Sequence, residues 1–336
     1  MFDIKFFIDW INKEFEPKVR LGNVKGAYVD KLGNNVNALY GVSDMADVLY
    51  SINSLYPTQE ERRVWIESLQ SFQEKETGYF KEYFPNHDIL HNTAFAISAM
   101  NLLGARPEYP LKFSEDFNTK EKLYNFLHSF DWEDQVYRDS HKGAGFASCF
   151  ALVPDTVAPE WFDWYFEICD SFFENTNGMM GKNKPLDGDF DQIGGTFHYI
   201  FVYEYFRQPV PFPEKRIDSV LKLQREDGSW TNEYERNGVI HKNIWWLTLD
   251  AVYMLTRACN KTGYRKEDIA EALKKTMQFS IERFKDPSKR KHDFEDRVHN
   301  LTGALNCIAE IQMFLGRKLV VTEEPILSVL DKRPFI

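Results

Sequence analysis

An internal repeat of about 50 residues constrains this chain more than any other feature. Six apolar, small-residue-rich segments align on one polar residue each: Asp44, His91, His141, Asp191, His241 and His299. The intervals are 47, 50, 50, 50 and 58 residues. Each segment is long enough for about three helical turns. Each follows a more charged, aromatic-rich stretch with one wet face, at residues 6–15, 60–73, 120–130, 160–173, 214–224 and 268–284. Gly78, Gly178 and Gly228 each stand 13 residues before their aligned polar residue, so the unit reads as outer helix, glycine loop, inner helix. Six such units predict an all-α fold, an (α/α)6 toroid or barrel of six helical hairpins, because a closed double ring leaves no repeat end to cap. The repeats span about 1–57, 58–105, 116–155, 157–208, 212–262 and 265–317. No Gly-, Ser- or Pro-rich linker divides them, so residues 1–336 are expected as one domain. Residues 318–336 form a C-terminal extension expected to pack across the outside.

Composition narrows the function classes. A net charge of −10 argues against nucleic acid as a partner, since phosphate binding needs clustered Lys and Arg. The one basic run, Lys285 to His292, is broken by Pro287 and reads as a solvated loop. Asp3, Lys5 and Asp9 interrupt the apolar N-terminus, which suits an amphipathic helix and not a signal peptide. No apolar window is long enough to span a membrane. Cys149, Cys169, Cys259 and Cys307 form no C-x-x-C pair and read as buried free thiols of a reducing, cytoplasmic compartment.

The run Leu221 to Trp230, with Gln224, Gly228 and Trp230 at its key positions, resembles the Gln–Trp repeat of the squalene-cyclase and protein-prenyltransferase toroids. Gln73 to Phe80 is a looser copy. The resemblance implies a double ring of helices and leaves the chemistry open. Asp187, Asp189 and Asp191 are similar to the acidic proton-donor cluster of the cyclases but differently spaced. The segment from His299 to Gly303 resembles the zinc-ligand histidine segment of the prenyltransferases, without its Asp-x-Cys companion.

The aligned polar residues carry the chemistry. Aspartate is a good helix N-cap and histidine is not, so capping accounts poorly for four histidines at one repeat position. Seven residues on, two turns down the same face, stand Ser51, Ser98, Ser148, His198, Thr248 and Asn306. Between them lie Gly145, Gly195 and Gly303, which open space or permit close helix approach. Two polar layers with small residues between them read as the wall of a water-filled funnel. The alternative is tight helix packing, with Ser and Thr bonded back to their own helices.

A histidine near a helix N-terminus is expected to be neutral, and neutral imidazole serves as a general base or metal ligand. The leading reading is an enzyme acting by His/Asp acid–base chemistry on a small, polar, carbohydrate-like molecule, as a hydrolase, lyase or epimerase. Its catalytic candidates are His241, His299, Asp191, His91 and His141. Its substrate-binding candidates are Asp44, Asp189, His198, Trp245, Trp230, Tyr79, Ser148 and Thr248. No cofactor is required. The alternatives are a metal-dependent, prenyltransferase- or cyclase-like enzyme, with zinc among Asp191, His241 and His299, and a toroid that binds a ligand or protein without catalysis.

Overall fold

The computed structural model describes residues 1–82, 87–231 and 244–336, and between the last two the backbone of two short strands. The chain is all-α. An N-terminal helical stretch runs through α1 (Lys5–Trp10), a π-helical turn (Ile11–Phe15) and α2 (Glu16–Val19). Then follow α3 (Leu39–Ser51), α4 (Gln59–Gln70), α5 (Ile89–Leu102), α6 (Lys120–His128), α7 (Val136–Leu152), α8 (Trp161–Asp170), α9 (Phe190–Tyr205) and α10 (Pro213–Lys222). The last are α11 (Trp245–Thr262), α12 (Lys266–Lys285), α13 (Pro287–Arg290) and α14 (His299–Leu315).

Two kinds of helix alternate, for the reason their side chains suggest. The second helix of each repeat is rich in apolar and small residues on all its faces and is buried along most of its length. In α5 every residue from Leu90 through Met100 is buried. The first helix of each repeat buries one stripe: Trp65 and Leu69 in α4, Leu123 and Leu127 in α6. The buried helices pack in succession, α3 on α5, α5 on α7, α7 on α9, α9 on α11 and α11 on α14, and α14 packs back on α3.

The glycine loops repeat the same turn. Glu74 N–H donates to the Tyr79 carbonyl and Gly78 N–H to the Glu74 carbonyl, both over 2.8 Å. Glu174, Met179 and Gly178 make the same pair of bonds over the same distances. Gly78 and Gly178 hold φ of 84° and 74°, left-handed values that favour glycine. Each loop is then pinned to its buried helix by a threonine hydroxyl: Phe80 N–H to Thr93, Met180 N–H to Thr196 and Trp230 N–H to Thr248.

Three expectations change. The basic run is not a loop: Asp286 caps α13 by accepting from the Ser288 and Lys289 N–H groups, Pro287 sits at the first helical position where proline is tolerated, and a π turn (Lys291–Glu295) follows. The fifth buried helix starts at Trp245, after an antiparallel hairpin of β2 (Glu233–Arg236) and β3 (Val239–Lys242). The C-terminal segment does not cross the outside. After a two-residue parallel pairing of β1 (Phe2–Asp3) with β4 (Val320–Val321), it runs in among the buried helices. Val329 N–H donates to Asn306 Oδ1 over 2.8 Å, Ser98 Oγ donates to the Phe335 carbonyl over 2.9 Å, and Ser148 Oγ donates to the Pro334 carbonyl. Arg333, wholly buried, donates to the Ser98 carbonyl and lies 3.7 Å from the buried Asp47 carboxylate. Residues read as the deeper wall of a funnel thus hold a strand of the protein's own backbone. The glycines between the layers serve close packing: a Cβ on Gly195 would lie 2.5 Å from Val136, and one on Gly145 3.0 Å from the Leu90 carbonyl.

Candidate functional site

At the other end of these helices five histidines meet. His91 in α5, His141 in α7, His198 in α9 and His299 at the start of α14 are buried, and His87, in the turn before α5, is half-buried. The rings of His87, His91 and His141 form a near-equilateral triangle with centroids 4.4, 4.9 and 4.8 Å apart. His198 stands 4.9 Å from His141, and His299 5.8 Å from His87. Tyr40, Tyr137 and Trp246 wall the group: Tyr137 stacks on His198 at 5.5 Å and Trp246 lies 4.2 Å from His299. Phe335 of the C-terminal segment, 4.9 Å from His91, closes the side toward the deeper layer.

Three of the rings are fixed through Nδ1. The Ser140 hydroxyl donates to the Tyr137 carbonyl over 2.6 Å, so the 2.7 Å contact with His198 is a donation from Nδ1–H, which leaves Nε2 with its lone pair. Tyr40 Oη donates to Asn92 Oδ1 over 2.9 Å and meets His91 Nδ1 at 2.8 Å, which sets the same tautomer. His299 Nδ1 and Asp44 Oδ1 share a proton over 2.9 Å, and Thr302 Oγ1 donates to the same carboxylate oxygen over 2.8 Å. The Nε2 of His87 is buried without a hydrogen-bond partner.

Burial makes all five imidazoles resist protonation. It pushes His87, His91, His198 and His299 well below the usual histidine range, with mutual repulsion adding to it for the first three. His141 is pushed down to about 3 by burial and by His299. Burial raises the Asp44 carboxyl well above the carboxylate range against the Thr302 hydrogen bond. Glu82, beside the α3 N-terminus, is raised to about 7 by burial and by Asp30, while the Tyr40 and Leu39 N–H groups oppose the shift. The arrangement offers neutral nitrogen bases or ligands flanked by acids that hold protons near neutral pH.

Of the sequence-predicted residues, the structure brings together His91, His141, His198, His299 and Asp44. The others stand apart. Asp191 accepts from Val136 and Tyr137 N–H and so caps α7, and Asp189 accepts from Gln192 N–H and caps α9. Trp245 is buried and donates to Asp293, and Trp230 is buried and donates to the Val220 carbonyl. Tyr79 stacks on Phe113 at 4.3 Å. Ser148 holds the C-terminal segment and Thr248 the glycine loop. The side chain of His241 lies outside the described residues. The displacement of Asp191 has a structural cause. The pinning threonines follow Gly78, Gly178 and Gly228 by 15, 18 and 20 residues, so loops of growing length shift the helical register that a fixed spacing assumes. By those threonines, His91 corresponds to Gly194 and Trp246.

Sequence reasoning missed His87, Tyr40, Ser140, Thr302, Glu82 and Trp246. For His87 a signal exists: it stands four residues before His91. The partners Tyr40, Ser140 and Thr302 have none, since each reaches its histidine or aspartate from another helix. Compared with protein-family models and with curated proteins, the sequence matches none of them.

Proposed function

We propose that the six repeats form a closed (α/α)6 toroid and that the protein is an enzyme whose proton-transfer centre is the histidine cluster at one mouth. The observation that carries the reading is the fixing of His91 and His198 through Nδ1, which leaves Nε2 as a basic nitrogen in each, beside His299, whose Nδ1 meets the Asp44 carboxyl over 2.9 Å. A general base needs its lone pair held in one place, and a hydrogen bond at the other ring nitrogen does that. His299, held by Asp44 and Thr302, is the base in this reading, and Glu82 is an acid suited to neutral pH. The head-to-tail succession of buried helices and the Gln–Trp-like loops support the toroid. The aromatic platforms on which a sugar ligand would stack are buried elsewhere, so the substrate is taken more broadly as a small polar molecule. Hydrolysis, elimination and epimerisation all draw on this chemistry.

The test is turnover on a panel of small polar substrates, sugars and sugar acids included, by the wild type, His299→Gln and Asp44→Asn. Loss of a general base lowers rates by about 10²–10⁴-fold. That loss with helical circular dichroism retained is the expected result. Turnover equal in all three proteins, or none by the wild type on any compound, would overturn the reading.

A further inference from the structure

We propose that His87, His91 and His141 bind one divalent transition-metal ion of the zinc type. Their ligand nitrogens already lie within 4.8 Å of one another. Tetrahedral zinc with Zn–N bonds of about 2.0–2.1 Å sets its nitrogens about 3.3 Å apart. Closing the difference takes ring rotations, and two of the three rings sit on rigid buried helices. A second observation points to the same ligand. The buried Nε2 of His87 has no hydrogen-bond partner, and a polar atom buried without one is costly and rare. A metal ion supplies that partner.

The surroundings have the chemistry of such a site. The Tyr40 hydroxyl holds the non-ligating nitrogen of His91, the outer-shell contact that orients metal-bound imidazoles. Three neutral nitrogens with no carboxylate among them suit zinc, and also nickel, copper and iron, better than magnesium or calcium. Three protein ligands leave a fourth position for water. His299, 5.8 Å from His87 between ring centroids, neighbours the three with its Asp44 partner. The metal site is independent of the enzymatic reading: binding is measured without turnover, so a failure to bind metal would sink this proposal while sparing the other.

The experiment starts from purified full-length protein stripped with a chelator and titrated with Zn²⁺, and in parallel with Co²⁺ followed by visible absorption. One equivalent per chain and a tetrahedral cobalt spectrum are expected. His87→Ala and His141→Ala should each abolish stoichiometric binding, and Tyr40→Phe should weaken it about 10–100-fold. His128→Ala and His292→Ala, at exposed positions, should leave it unchanged. His87 is half-buried ahead of its helix, so its variant is expected to fold even if His141→Ala does not. No binding by the stripped wild type would overturn the proposal. So would binding unaffected by His87→Ala, or binding lost with the two exposed histidines.

Discussion

At one end of the buried helices, His87, His91, His141, His198 and His299 face one another across ring edges. Two turns along, Ser98, Ser148 and Asn306 turn their polar groups to the backbone of residues 329–335. Both layers are polar and both are buried, yet they are satisfied differently. In the deeper layer Ser98, Ser148 and Asn306 find complementary groups on the C-terminal segment, and Arg333 lies 3.7 Å from Asp47. In the histidine layer Nδ1 of His91, His198 and His299 is tied to a neighbouring helix, and His87 Nε2 is buried without a hydrogen-bond partner. The C-terminal backbone fills the deeper layer, and ring contacts among the histidines fill the other.

The largest expected effect is the pH dependence that the histidines impose, opposite in sign to that of the raised carboxyls. In metal-free protein the five histidines have folded-state pKa values below the unfolded value of about 6.5. Their contribution is therefore full above that value and is lost as pH falls through the folded values, about 3 for His141. Asp47 acts in the opposite sense. Burial raises it to about 7, so it favours the folded state below the ordinary aspartate pKa and loses that contribution as pH rises through 7. Urea melts of the wild type and His141→Gln from about pH 7.5 to 4 should diverge on acidification, the wild type losing stability relative to the variant below about pH 6.5. A stability difference between the two that does not change with pH would contradict the histidine assignment.

Arg333→Ala should come next. Removing one partner of a buried ion pair costs about 3–5 kcal/mol, because the other charge stays behind. The loss should shrink at about pH 5, where Asp47 carries a proton, and melts at two pH values read the difference directly. Ser98→Ala and Ser148→Ala should each cost about 1–3 kcal/mol by leaving a buried carbonyl of the C-terminal segment unsatisfied. Loss below about 0.3 kcal/mol in both would mean that the segment is not held as described. The smallest effect belongs to Asp191→Ala, a capping change of about 1 kcal/mol. Thermal melting checks it, and zinc binding by the variant should match the wild type. A loss of zinc binding would return Asp191 to the site.

How much of this was legible follows from the range of each interaction. The peripheral helices at 59–70, 120–128 and 213–222 lie close to their predicted spans, since one charged face and one apolar face are properties of the segment itself. His91, His141 and His299 were legible because they fall on the repeat position, whereas the step of 18 residues from Gly178 to Thr196, against 15 from Gly78 to Thr93, carries Asp191 out of that register.

The alternation of buried and half-buried helices and the turn at Gly78 and Gly178 can be read from the chain alone. Those depend on hydrogen bonds and side-chain faces within some twenty residues. The tertiary structure alone decided what fills the space between the buried helices. The partners of His91, His198 and His299 sit on other helices, and the occupant of the deeper layer comes from the last residues of the chain. Nothing local to Ser98 or Ser148 distinguishes a hydroxyl facing water from one facing the backbone of residues 334–335.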